Sequence, residues 1–363
     1  MPIERSRARV LPWVGLVTLL PCLGAGPLLA QEPPAPAPAA PLPTEVASET
    51  DIGVFSFFFE NDIVAYQDDD YTAGVGFSWI TGDVRRHREG TPFRLLVDTF
   101  DFLPRMGDAD RTPHVSLVYG LEMYTPTDIE SPVPPPGEQP YAGVQFFDTT
   151  LHARGERSMH SYTLRLGLVG PSSGAEQLQT ELHKILGTTV PQGWDSQLSD
   201  EPLLNFDYRY DRRLYRAAGE RRFGLDLTAS GAGGAGNYYI GASAGVSARF
   251  GWGVPDTFGP IALRTGSGGL VGLKPAPDRG WRVYGYLESQ LFGVARFLPT
   301  DGNTFTDSPS GPREDFPLIF TGGLVVAWNR LFVHQAFTNL GGYDEFPRGS
   351  SHDFGTLVIS WVY

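Results

Sequence analysis

The sequence predicts an all-β transmembrane protein: an antiparallel up-and-down β-barrel of about 12 strands, with one α-helix in an extracellular loop. Composition is the first reason. The 363 residues include 23 Phe, 15 Tyr, 7 Trp and 44 Gly, a mix of strand-favouring aromatics and turn formers foreign to a helical protein. Patterning is the second, because apolar residues alternate with small, polar or charged ones over stretches of about ten, as lipid outside and a wet lumen inside require. Parity is the third. The stretches number about twelve, and an even count returns both ends of the barrel to one rim and closes the sheet without a free edge.

The chain begins with Arg5, Arg7 and Arg9, an apolar run from Val10 to Leu20, and Leu28-Leu29-Ala30 ahead of Gln31. Residues 1–30 therefore read as an export signal peptide. The only cysteine, Cys22, lies inside it, which leaves no thiol further on for a disulfide, a metal or a nucleophile. A lipid anchor at Cys22 is the competing reading, and Leu19-Leu20-Pro21 is a poor context for it. Residues 31–50 are rich in Pro and Ala and read as an extended linker. Residues 51–363 remain for the barrel. A formal charge of −13 argues against nucleic acid as a partner and suits a divalent cation.

No later run of about 18 apolar residues exists, so membrane-spanning helices are not expected. Strands are predicted at 53–60, 71–81, 113–124, 141–153, 159–170, 203–214, 221–231, 238–250, 281–292, 317–328, 330–338 and 354–363. In the second, Tyr71, Ala73, Val75, Phe77 and Trp79 oppose Thr72, Gly74, Gly76 and Ser78. In the fifth, Tyr162, Leu164, Leu166 and Leu168 oppose Ser161, Thr163, Arg165 and Gly167. In the sixth, Phe206, Tyr208 and Tyr210 alternate with Asn205, Asp207, Arg209 and Asp211. Parity turns connections 61–70, 125–140, 171–202, 293–316 and 339–353 outward. Two others, 82–112 and 251–280, are long on the side where short turns are the rule. The chain closes on FGTLVISWVY, similar to the assembly signal of outer-membrane barrels, which makes the barrel assembly machinery an expected partner. A soluble β-sandwich has the same alternation with its apolar face inside. Aromatics at strand ends, namely Trp79, Tyr124, Tyr141, Trp328 and Trp361, favour the barrel because they suit interfacial girdles.

One segment breaks the strand pattern. In GAEQLQTELHKILG, Ala175, Leu178, Leu182, Ile185 and Leu186 recur at helical spacing and Gly187 is placed to end the helix. Gln179 and His183, four residues apart, share one face, and a helix lying against the barrel rim would direct both at the wall. Gly241-Ala242-Ser243-Ala244-Gly245 matches the nucleophile pattern G-x-S-x-G, but that motif needs a strand-turn-helix context. Here it lies within an alternating strand, and small residues inside a crowded barrel are the better account.

By parity, Asn61, Asp62, Thr72, Tyr124, Thr125 and the helix bearing His183 all fall at the outward rim. With no cysteine and no hydrolase serine in the right context, a histidine that activates water is the economical base for ester hydrolysis. Oxygen ligands from Asn61 and Asp62 suit calcium, Ca2+, which polarises a scissile carbonyl.

These residues resemble a known family, the outer-membrane lipid A 3'-O-deacylases. The resemblance lies in FENDIVAYQDDDYTAGVGFSW, in YTPTDIE with QPYAG, in GPSSGAEQLQTELHKILG and in PQGWDSQLSDEP, and more weakly in Phe337-Thr338 and His352-Asp353-Phe354. It implies a twelve-stranded barrel in the bacterial outer membrane that hydrolyses the 3'-linked acyloxyacyl ester of lipopolysaccharide at the extracellular rim, using calcium and a histidine-activated water. Carried over by motif position, His183 is the base, Asp62 and Asn61 are the metal-side groups, and Thr72 and Gln179 position the substrate or oxyanion. Two positions depart from the family pattern. Gln139 stands where an arginine is usual, and Gly187-Thr188-Thr189 follow the helix where one member has a glutamate. A catalytically silent barrel, acting as a pore or surface-binding protein, and a phospholipid esterase of the same architecture are the alternatives.

Overall fold

The computed structural model describes residues 53–61, 70–217, 222–258, 280–341 and 352–363. The expected signal peptide, the linker and Asp62 lie outside the described residues. Twelve antiparallel strands form one closed barrel in which each strand pairs with its sequence neighbours and the first pairs with the last. They are β1 (Val54–Asn61), β2 (Asp70–Ile80), β3 (Thr112–Thr125), β4 (Ala142–Arg154), β5 (Ser158–Val169), β6 (Glu201–Ala217), β7 (Phe223–Gly236), β8 (Tyr239–Trp252), β9 (Trp281–Phe297), β10 (Leu318–Trp328), β11 (Leu331–Gly341) and β12 (His352–Val362). Strands β6, β7 and β9 run longer than periodicity indicates. The reason is plain in β7, whose end, Ser230–Gly236, carries almost no side chains to display a period yet continues the backbone ladder to β6.

The alternation sorts side chains as expected. Phe77, Tyr119, Phe147, Leu166 and Leu204 form one register row across β2 to β6 and all are exposed. Their sequence neighbours Ser78, Val118, Phe146, Arg165 and Leu203 are buried inside the barrel. Gly241 to Gly245 lie within β8, and the Ser243 hydroxyl accepts a hydrogen bond from Gln290 Nε2 at 2.9 Å. That serine is a wall residue in a continuous strand.

β1 begins and β12 ends at one rim, here the proximal rim; connections 126–141, 170–200, 237–238 and 298–317 belong to the distal rim. Trp252, Trp281, Trp328, Trp361 and Tyr363 are exposed at the proximal strand ends, as a girdle requires. Three of the expected girdle aromatics are not exposed. Trp79 is half-buried against Phe93. Tyr124 points into the lumen and Tyr141 is covered by a distal loop, because loops, rather than lipid, meet the wall there. The distal connections carry the expected helix, and further helices stand at Pro92–Thr99 and Leu298–Asp301.

Charged and aromatic side chains pack inside the lumen near both rims. Near the distal rim the Arg165 guanidinium bonds both Asp148 oxygens at 2.8 and 2.9 Å, reaches Glu122 at 3.3 Å and stacks 3.8 Å over Phe146. Glu122 also accepts from Tyr238 at 2.6 Å and Tyr124 at 3.0 Å. Removal from water raises the Tyr238 phenol's pKa, and the adjacent Glu122 carboxylate adds to the effect. Near the proximal rim, the start of the long connection after β8 turns inward. Val254 packs with Ile80, Tyr284 and Phe332, while Asp256 pairs with Arg154 and Arg213 at 3.3 and 3.0 Å. Buried charges persist in such a setting only when paired. Replacing Arg165 by Met strands Asp148 and Glu122, and the expected loss is about 3–5 kcal/mol. The check is a lower midpoint for the heat-induced gel shift of the detergent-solubilised barrel.

Candidate functional site at the outer wall

The site grows from one row of the barrel wall. Gly355, Asn61, Ala73, Met123 and Gly143 are successive cross-strand partners through β12, β1, β2, β3 and β4. By alternation they face outward, on the same side as the exposed Phe77 and Tyr119, yet all five are buried; Met123 has 0% exposure. Over Ala73, Met123 and Gly143 the cover is the loop after β5. Its helix, α1 (Pro92–Thr99) being the first in the chain, is α2 (Ala175–Leu186).

Local sequence explains why α2 can lie so close. Gly143 has no side chain, and a Cβ there would stand 2.4 Å from the Ala175 Cβ and 2.3 Å from Ser173 Oγ. Ala73, Met123, Tyr141, Ala175 and Trp194 then form a small apolar core, with Leu121 and Leu178 against it. The base of the loop is fastened by Asp200, which accepts from Ser172 N–H at 2.8 Å and from its hydroxyl at 2.6 Å. The neighbouring distal loop adds its own bonds, with Gln192 N–H donating to Ile129 at 2.8 Å and Leu198 N–H to Tyr141 at 2.9 Å. Within that loop the Ser131 hydroxyl holds the Asp128 carboxyl below its ordinary range.

Ala175, Gln179 and His183 form the buried stripe of α2, at 1%, 1% and 2% exposure. The two polar members are therefore clamped between the helix and the outer wall, as their four-residue spacing led us to expect. Each is oriented from the segment that follows the helix. Gly187 ends α2 in the left-handed region at φ 70°, a conformation glycine adopts without steric cost. The chain then turns back, and the Thr189 carbonyl sits 2.5 Å from His183 Nδ1. A carbonyl only accepts, so in the neutral imidazole the proton resides on Nδ1 and Nε2 carries the lone pair. Seven residues after Gly187, the Trp194 indole N–H donates to Gln179 Oε1 at 2.8 Å. An indole only donates, which fixes the amide and leaves Gln179 Nε2 buried without a hydrogen-bond partner among the described residues. Trp194 is itself held by the Tyr141 ring, 5.0 Å between centroids.

The remaining predicted residues stand as follows. Asn61 closes β1 and lies in the covered row, 6% exposed. Thr72 is the extra residue of a bulge between Tyr71 and Ala73 in the β2–β3 ladder. Asp62 follows Asn61 outside the described residues. Glu181, on the same helix, is exposed and pairs with Lys184 at 2.8 Å. Gln139, in the place of the usual arginine, is buried. Among the described residues no group of three or more His, Cys, Asp or Glu is arranged to hold a metal. Thr189 and Trp194 were not singled out from sequence, although Trp194 lies within a motif that carried the resemblance.

A family model described as Outer membrane protein LpxR matches residues 18–363. Among solved structures, LpxR from Salmonella typhimurium superposes with a TM-score of 0.67 at 13% identity, covering 85% of this chain and 100% of that one. At that identity the likeness speaks for the fold. The transport unit of the autotransporter AIDA-I from Escherichia coli matches with a TM-score of 0.33 at 10% identity, covering 89% and 93%, too low to carry any argument. No curated protein matches the sequence. The geometry also makes a direct prediction: Gly143→Val forces α2 off the wall while leaving the strands paired. Limited proteolysis is expected to cut between 175 and 196 in that variant, with the heat-modifiable barrel band retained.

Proposed function

The chain belongs to the outer-membrane LpxR family of lipid A 3'-O-deacylases, and on that basis we propose that it hydrolyses the 3'-linked acyloxyacyl ester of lipid A at the extracellular rim with His183 as general base. One observation carries the reading. A histidine whose neutral form carries its lone pair on Nε2 and a glutamine whose buried N–H has no partner among the described residues share one helix face on the lipid-facing side of the wall, just beyond the exposed Phe77–Tyr119–Phe147 row. That is where a membrane lipid presents its ester bonds.

The proposed chemistry uses these groups in order. His183 Nε2 takes a proton from water as the water oxygen attacks the ester carbonyl carbon. Gln179 Nε2 donates to the oxygen that becomes negative, at a place where no water competes. The carbon–oxygen bond to the sugar then breaks, and the proton on His183 passes to the departing 3' oxygen. The products are a carboxylic acid and a free sugar hydroxyl. Thr189 keeps the imidazole in the required tautomer, and Trp194 prevents the Gln179 amide from flipping. Thr72 is assigned to substrate or oxyanion positioning from its motif position.

Calcium belongs to the same proposal. An amide oxygen from Asn61 and a carboxylate from Asp62 are hard donors suited to it, and when bound the cation supplies polarisation of the ester carbonyl. The pore alternative finds little support in a lumen packed by Arg165 at one end and by Val254 and Asp256 at the other.

Mass spectrometry of lipid A is the test. Cells expressing the wild-type chain are expected to lose the mass of the 3' acyloxyacyl group, while His183→Ala, folded and heat-modifiable, loses none. Full activity in that variant overturns the assignment, and release of acyl chains from phospholipid instead turns the reading to the phospholipid esterase. EDTA is expected to abolish turnover and added Ca2+ to restore it. Unchanged turnover after chelation removes calcium from the mechanism.

A further inference from the structure

The connection between β2 and β3, residues 81–111, folds back over the outer wall rather than hanging free at the proximal rim. Val84, Phe93, Leu96, Val97, Leu103 and Met106 pack on Val115, Leu151 and Tyr162, which belong to the outward face of β3, β4 and β5. The lobe is pinned by the Tyr162 hydroxyl, which donates to the Pro104 carbonyl at 2.7 Å, and by Arg111, which donates to the Ser158 carbonyl at 3.0 Å. Phe93 meets Trp79 edge-on at 4.9 Å. With its buried side used in this way, the lobe still presents Leu95, Phe100 and Phe102 outward, at 53%, 37% and 72% exposure. The two phenylalanine rings lie 5.9 Å apart.

Position decides what covers them. Along β3 the exposed belt residue Tyr119 is four residues from Val115, where the lobe begins. That is about 10 Å along the membrane normal at about 3.4 Å per residue and a strand tilt of about 40°. The lobe therefore sits at the proximal edge of the apolar belt. The rest of the rim supports the same conclusion. Strands β8, β9, β10 and β12 carry an exposed girdle of Trp252, Trp281, Trp328 and Trp361, whereas on β2 the corresponding Trp79 is covered by Phe93. Leu95, Phe100 and Phe102 stand where that sector has lost its own girdle. Arginines and acidic residues in 81–111 are equal in number, so the lobe has no net charge with which to select an anionic partner.

We propose that residues 81–111 form a membrane-interface anchor whose Leu95, Phe100 and Phe102 insert into the phospholipid leaflet on the side remote from α2, completing the girdle and setting the depth of the barrel. The occupant is the headgroup and acyl boundary of that leaflet, not a second protein. The inference rests on the barrel spanning a membrane and is independent of the chemistry assigned to His183.

Spin labelling tests it, because Cys22 is the chain's only cysteine. In a Cys22→Ser background, nitroxides are placed one at a time at Leu95→Cys and Phe102→Cys. Phe147→Cys provides a belt reference and Asp110→Cys an aqueous one, and each full chain is reconstituted in phosphatidylcholine vesicles. The ratio of collisions with oxygen to collisions with a water-soluble nickel chelate is expected to be several-fold higher at 95 and 102 than at 110. A ratio equal to that at 110 overturns the proposal. Distance-dependent broadening between labels on separate chains, with nickel still excluded, also overturns it, in favour of a second copy. Both labelled positions are exposed, so the substitutions leave the packed side of the lobe intact, and the heat-induced gel shift verifies folding of each variant.

Discussion

A closed ring of backbone hydrogen bonds imposes the constraint on which the rest of this molecule depends. Because β1 pairs with β12, no strand edge is available for further pairing, and any added element must pack on one face of the wall. The inner face is occupied by its own charges and aromatics, held together around Arg165, Asp148 and Glu122. What remains is the outer face. Both long connections with real cores, the one carrying α2 and the lobe 81–111, take that option, on neighbouring strands and at opposite rims.

Packing on the outer face requires the wall to give up lipid contact locally, and small residues do this. Gly143 admits Ala175 to a distance no side chain would allow, and Ala73 and Met123 complete the floor. The result is a buried stripe of Ala175, Gln179 and His183 on the face of α2 that packs on the wall. In it, two hydrogen bonds of 2.5 and 2.8 Å, to Thr189 and from Trp194, decide the tautomer of one side chain and the flip of the other. The candidate site thus draws on the loops that orient its side chains and on the wall against which they pack.

Much of this was legible in the sequence, for a definite reason. Strand alternation reports which residues share a face, so the barrel, its strand number and the inward place of Arg165 and Asp211 follow from pattern. The helix was legible because its 3.6-residue period interrupts a period of two. Alternation cannot report what lies against an outward face, since lipid and a packed helix both select apolar residues. Ala73 therefore reads as a belt residue, Tyr141 as girdle, and Leu95 to Phe102 as part of an unexplained long turn. Trp194 and Thr189 escaped notice for another reason. A single hydrogen bond to a distant helix leaves no periodic trace, and only the motif around Trp194 hinted at its use. Asp62 lies beyond the described residues, and Thr72 is known by its place in the backbone ladder.

The placement of α2 outside the wall, with Gln179 and His183 facing the strands, has a kinetic meaning on the proposed reading. A site that opens sideways meets its substrate by diffusion in a plane, so the variable governing its rate is the mole fraction of substrate among neighbouring lipids, not a concentration in solution. Crowding of the leaflet, its fluidity and the divalent ions that cross-link lipopolysaccharide molecules then act on the enzyme as directly as any inhibitor, without touching the protein.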